Sequence, residues 1–333
     1  MKTLKPLFLF TILCIALNPL FSQKFKYSIP GLDTLEQNFI VSGAASSVLR
    51  NGEGEIIVNS SLVSYWLAFH QNGNNSPVLD RLRNTVFNTD ISGYYGISQN
   101  GKWDIGLQLG YARTRLDNSA KSSMFKVFDK RPTIDEEIDA PFGTQIKLDE
   151  SFGGVANIGI RFRYKPFNYV PGLLLTGGYS AATIKDQNEQ VQLGADRDFI
   201  DLGLSYYKGL TNNVFYFFSS SLRSYIPSKV TDQSFFLSSF NFFLIQRTNN
   251  QKLTVYPGLS YTLAFKPSIY DSRPFVRTTE FLFAYVGIQY AIDRKFSVFT
   301  TMGFPLFVEV INPQQEIVRD SYSIFALGLR ARI

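Results

Sequence analysis

The sequence predicts an all-β fold: a closed, antiparallel, up-and-down transmembrane β-barrel of about twelve strands. Three observations predict it. Runs of roughly 10 to 15 residues alternate apolar with small or polar side chains, and each run ends at a break. The breaks alternate in length, short and then long. The chain ends in one more alternating run, which supplies the last strand that closure against the first requires.

The composition agrees. The 333 residues are 45% hydrophobic and 15% aromatic, with 31 Phe and 18 Tyr, and only 18% are charged. Such content excludes a disordered chain and is unusual for a surface that faces water alone. The 33 Lys and Arg stand against 27 Asp and Glu, with no basic run of five. Nucleic-acid binding therefore has no support.

Residues 1–22 read as a signal peptide. Lys2 and Lys5 form a basic start, Leu7 to Leu17 an apolar stretch of about 11 residues, and Ser22 a small residue before a cleavage point at Gln23. The apolar stretch is too short to span a bilayer as a helix. Cys14, the only cysteine, lies inside it, so the mature chain has neither a disulfide framework nor a thiolate metal site. Residues 23–54, including "NFIVSGAASSVLRNGEGE", read as a periplasmic N-terminal lead, with a short plug or an extra strand as alternatives.

The barrel then occupies 55–333. Alternating runs lie at 55–69, 86–98, 102–115, 152–165, 170–184, 197–209, 213–226, 233–247, 252–265, 278–292, 295–308 and 321–333. In "YYGISQNGKWDIGLQLGY", Asn100-Gly101 between two such runs marks a tight hairpin. Short breaks fall at 99–101, 166–169, 210–212, 248–251 and 293–294. Longer ones fall at 70–85, 116–151, 185–196, 227–232, 266–277 and 309–320. Outer-membrane barrels have short periplasmic turns and longer outer loops, and starting from the periplasm every break lands on its proper side. Trp103, Ile105, Leu107 and Leu109 then face lipid, while Gly106 and Gln108 face the lumen. The runs "VFYFFSSSL" and "FFLSSFNFFLI" are apolar on both faces, which leaves their register open.

Inward parity gathers charge. Arg161, Arg163, Arg330 and Arg332 fall on lumen faces near the periplasmic rim, with Arg223 higher, and Asp104 and Asp201 face the same interior. Two readings follow: ion pairs across a filled lumen, or an electropositive constriction favouring anionic solutes. Arg113 and Arg115 continue the outward parity to the outer rim, where they meet either lipopolysaccharide headgroups or solvent. The long break 116–151 carries Phe125, Phe128 and Phe142, which either fold inward and narrow the pore or stay in a surface loop. Its Asp135-Glu136-Glu137 has no calcium-loop spacing.

His70, the only histidine, stands in "AFHQNGNNSP". The outer-membrane phospholipases, also twelve-stranded, carry a His-x-Ser-Asn-Gly motif. Here His70-Gln71 is followed directly by Asn72-Gly73, without the serine nucleophile. A solvated histidine at a strand end is the plainer reading, and no metal or other cofactor is implied.

With these stretches in view, the chain resembles outer-membrane β-barrels common in Bacteroidota. "YGISQNGKWDIGLQLGY", and "SSMFKVF" followed by "GGVANIGIRFRYKPF", are similar to that group's segments. More loosely, the chain resembles transporter barrels associated with phenol-degradation pathways. "SYSIFALGLRARI" is similar to the terminal strand read by the barrel-assembly machinery, although it ends on Ile333 rather than Phe. The resemblance implies a Gram-negative outer membrane, with lipid and lipopolysaccharide as surroundings, and no catalytic residue. The expected function is passive passage of small, anionic solutes. The alternatives are a non-conducting barrel displaying loop 116–151 and, remotely, a lipid-acting enzyme around His70.

Overall fold

The computed structural model describes residues 48–70, 77–119, 121–129, 137–139, 145–170, 172–185, 193, 197–227, 234–267, 275–310 and 315–333. The signal peptide and most of the segment before the barrel lie outside these residues, as do Phe142 and the side chain of His70.

Alternating sequence forms strands because one face meets an apolar phase and the other a packed interior. The strands are β1 (Gly54–His70), β2 (Pro77–Gly96), β3 (Trp103–Asp117), β4 (Glu137–Asp139), β5 (Gln145–Lys147), β6 (Ser151–Tyr164) and β7 (Leu173–Ala182). They continue as β8 (Phe199–Gly209), β9 (Val214–Tyr225), β10 (Phe235–Arg247), β11 (Leu253–Pro267), β12 (Phe275–Ala291), β13 (Phe296–Val310) and β14 (Gln315–Arg332). β4 and β5 pair only with each other, and the other twelve close into one barrel in which β14 pairs antiparallel with β1. The all-β, twelve-stranded expectation holds.

Short hairpins mark one end, the turn rim. Three of them are stabilised by a side chain that accepts backbone N–H groups the turn leaves free. Ser98 Oγ accepts from Lys102 and Trp103, Thr211 Oγ1 from Asn213 and Val214, and Asp293 Oδ1 from Lys295 and Phe296. Gly101 takes φ +62°, the left-handed conformation its turn needs.

Outward parity carries Ile105, Leu107, Ile160, Leu202, Met302 and Phe304, all exposed. Isolated in water, such a band would be an unstable surface; against lipid tails it is the expected one. Trp103 and Tyr164, stacked at 3.9 Å, edge the band at the turn rim. Inside, aromatic rings lie over glycines of neighbouring strands. A Cβ at Gly287 would stand 1.9 Å from Tyr256, and one at Gly328 2.0 Å from Phe299. These glycines exist to receive the rings.

Two strands begin six or more residues earlier than alternation suggested. β2 starts at Pro77 rather than 86, and β14 at Gln315 rather than 321. The reason is visible on β1 to β3, where outward positions near the loop rim are Ser64, Thr85 and Arg115, paired in register, and Arg83, paired with Asp117. Beyond the apolar band an outward residue need not be apolar, so the sequence period fades while the ladder continues.

Candidate functional site: the lumen

The inner wall holds two tiers of charge. In the tier near the turn rim, Glu55 opens β1, Asp104 stands on β3, Arg163 on β6, and Arg330 and Arg332 on β14. The registers Glu55↔Tyr94, Glu55↔Arg332 and Asp104↔Arg163 put all of them on the inner face. Arg163 Nε donates to both Asp104 oxygens at 2.8 and 3.0 Å, and its Nη1 donates to Glu55 Oε2 at 2.9 Å. Arg330 pairs with Glu55 Oε1, and Arg332 Nε reaches the same oxygen at 3.4 Å. The Arg163 guanidinium also lies 3.8 Å over the Tyr94 ring. Glu55, Asp104, Arg163 and Arg330 are each at most 3% exposed. Buried charges persist only when paired in this way.

Residues 48–53 lead into this tier. Glu53 N–H donates to Arg50 O, Gly52 takes φ +87°, and Leu49 is buried with its N–H on Asp104 Oδ2 at 3.0 Å.

The second tier lies further along the barrel axis. Gln108 Nε2 donates to Asp90 Oδ1 at 2.9 Å, and Gln108 Oε1 accepts from Arg161 Nε. Arg161 Nη1 pairs with Asp201, whose other oxygen accepts from Arg223 Nε at 2.7 Å. Arg223 lies 4.1 Å over the Phe199 ring. In register, Arg161 and Asp201 both face Gly178 of the intervening β7. A Cβ there would stand 2.6 Å from Arg161 Cδ, so glycine leaves the side chain free to cross β7.

From β10 to β13 the inner wall is aromatic, and its rings run on to Phe217 of β9 and Tyr322 of β14, strands that carry Arg223, Arg330 and Arg332 at other positions. Phe217, Phe243 and Tyr256 form a row with centroids 6.2 and 6.0 Å apart. Nearer the loop rim, Phe283 meets Tyr322 at 5.1 Å, and Tyr322 stacks on Tyr65 at 5.0 Å. Beside these rings is a cavity of about 200 Å³ lined by Asn59, Asn241, Tyr256, Ser260, Tyr285 and Thr301, among others. The Asn59 Oδ1 atom is buried without a hydrogen-bond donor.

The structure thus brings Arg161, Arg163, Arg223, Arg330, Arg332, Asp104 and Asp201 to the inner wall, and there they are ion-paired. Sequence reading missed Glu55, the acid shared by three arginines, and Asp90. Glu55 has inward parity in the first run, but its position beside Arg163 depends on barrel closure, which periodicity does not encode.

Phe125 and Phe128 are a correction to the inward-folding alternative. They lie in a short 3₁₀ helix, Met124–Phe128, and Phe128 packs on Phe87 at 4.9 Å. Phe87 pairs with the outward Arg113 and Leu62, so this contact lies on the outer wall. Two described residues beyond β7 lie inside instead. Ile184 continues the inward parity of that strand and packs on Ala112 and Ala156, with Leu193 beside them. Arg113 and Arg115 point outward but meet protein partners: Arg113 donates to Asp129 O at 3.2 Å, and Arg115 pairs with Asp117 at 2.5 Å.

A closed twelve-stranded barrel with an apolar exterior and a polar interior has the architecture of the outer-membrane barrel class. No family model matches the chain, and no curated protein matches it. Among solved structures it is similar to the COG4313 outer membrane channel from Pseudomonas putida F1. The TM-score is 0.59 and the identity 13%, over 88% of this chain and 100% of that one. It is also similar to the beta domain of the Bordetella autotransporter BrkA, with TM-score 0.51 and identity 13%, over 84% and 99%. At these identities the likeness is one of fold.

Proposed function

We propose that the protein is an outer-membrane β-barrel that gives small solutes a narrow passive path, with the Glu55 tier as its constriction. The observation that carries this reading is the make-up of the lumen: paired charges gathered on β1 to β3 and β6 to β9 and reaching β14, aromatic rings gathered on β9 to β13, and a cavity beside those rings. Twelve strands leave little free diameter, so side chains set the path. The apolar outer band and capped turns support membrane insertion with the turn rim in the periplasm. The outward Phe325, Leu327 and Leu329 of β14 support recognition of that strand by the assembly machinery.

Across the two tiers, Arg161, Arg163, Arg223, Arg330 and Arg332 face Glu55, Asp90, Asp104 and Asp201. One positive charge is left over, which supports a weak preference for anions. Ion-selective passage is tested by the reversal potential of the purified barrel in a planar bilayer under a salt gradient.

A second reading, a non-conducting barrel displaying loop 116–151, is favoured by one observation. The Glu55 tier is almost wholly buried and Leu49 lies against it. Liposome swelling with small sugars and amino acids separates the two. An enzymatic role has no support at His70, whose neighbours include no serine at the motif position.

A further inference from the structure

The outer wall carries a feature that solute passage does not use. Residues 121–129 run along the outside of β2 and β3, held by local interactions. Val127 is fully buried. Phe128 meets Phe87 edge-on, Arg113 Nη2 donates to Asp129 O, and Ser151 Oγ donates to Lys126 O at 3.4 Å. The helix is fixed at both ends, since Ser123 Oγ accepts from Phe125 N–H and Asp129 N–H donates to Lys126 O at 2.8 Å. Gly153 makes room beneath it, because a Cβ there would stand 2.9 Å from both Arg113 Cγ and Tyr111 Oη.

So fixed, the segment still leaves its largest apolar side chains uncovered. Phe125 is 67% exposed and Phe128 46%. Packing among the described residues does not explain a five-residue helix, held at both ends, that leaves two phenyl rings exposed.

Height along the barrel supplies the explanation. Arg113 shares the outward face of β3 with Trp103, ten residues further on. At about 3.3 Å per residue and a tilt of about 40°, that is about 25 Å along the axis, the height of the apolar band in such barrels. Trp103 marks one edge of the band, so Arg113, Phe87 and the helix stand at the other. Phenyl rings belong at that boundary, and the exposed Lys121 and Lys126 suit the phosphates of headgroups beside them.

We propose that segment 121–129 is an interfacial anchor, inserting Phe125 and Phe128 into the outer leaflet and fixing how deep the barrel sits on its β2–β3 side. The inference rests on the membrane-spanning reading above. The chain has two tryptophans, Trp66 and Trp103, which allows a direct test. The Trp66→Phe variant reports on Trp103 alone, and Trp66→Phe/Trp103→Phe/Phe125→Trp reports on the helix. Both are reconstituted into phosphatidylcholine vesicles carrying bromine high on the acyl chains. The expected result is strong quenching by bromolipid in both, with little quenching by aqueous iodide. Quenching of Trp103 with an iodide-accessible, bromolipid-insensitive indole at Phe125→Trp overturns the anchor and leaves the membrane reading standing. Loss of bromolipid quenching in both overturns the membrane reading and the anchor with it. Phe128→Trp in the same background repeats the test at the second ring.

Discussion

Arg163 Nη1 and Glu55 Oε2 stand 2.9 Å apart, although the two residues are 108 positions apart in the chain. They sit on β6 and β1, with β2 and β3 between them. Glu55 also binds Arg330, 275 positions away, so one carboxylate ties both sides of the closing seam to β6, three strands round the ring.

Glu55→Gln removes the charge that compensates three guanidinium groups. Breaking a buried pair on one side costs about 3–5 kcal/mol, and the replacement amide keeps the side chain's shape. Urea unfolding of the reconstituted barrel, followed by tryptophan emission, is expected to show a markedly lower midpoint. An unchanged midpoint would mean that the tier is solvated.

Gly178→Leu places a side chain where Arg161 crosses to Asp201. The variant is expected to lose most of what Asp201→Asn loses, and the double variant little more, because both remove one interaction. Heat-induced shifts in gel mobility of the folded barrel measure all three. Full additivity would contradict a shared network.

Gly287→Ala and Gly93→Ala form a matched pair. The first sets a methyl 1.9 Å from the Tyr256 ring, the second meets nothing within 4 Å. Overpacking of that kind costs about 1–3 kcal/mol, so only Gly287→Ala is expected to lower the unfolding midpoint clearly. Equal effects would show that the aromatic wall is loosely packed.

Leu107→Arg addresses the outer band. Leu107 is 66% exposed at mid-wall, and an arginine there in lipid costs about 2–4 kcal/mol. Gln99→Arg, in the exposed turn, is expected to change folding into vesicles hardly at all. If Leu107→Arg folds equally well, that face does not contact hydrocarbon.

Within the lipid band the sequence could be read nearly residue by residue, because each outward residue there answers to one solvent. Ile105, Leu107 and Leu109 against Gly106, Gln108 and Gly110 are the clearest case. Past the band that pressure ends, which is why the first nine residues of β2 carry no alternation. The inward arginines were also legible from parity. Their partners were less so, since Glu55 meets Arg163 only once twelve strands have chosen a register around a circle. The loops depended on single contacts: Phe128 goes outward because Phe87 does, and Ile184 goes inward because β7 carries its parity two residues past its last strand pair.

We propose the Glu55 tier as the constriction of a solute path. Single-channel recording of the wild-type barrel beside Glu55→Gln tests it most directly. The predicted result is a small conductance in the wild type. The variant should pass more current, with its reversal potential shifted toward that of the anion, because three arginines then face the path without their shared carboxylate. Identical selectivity and conductance in the two proteins, or no current through either, would contradict it.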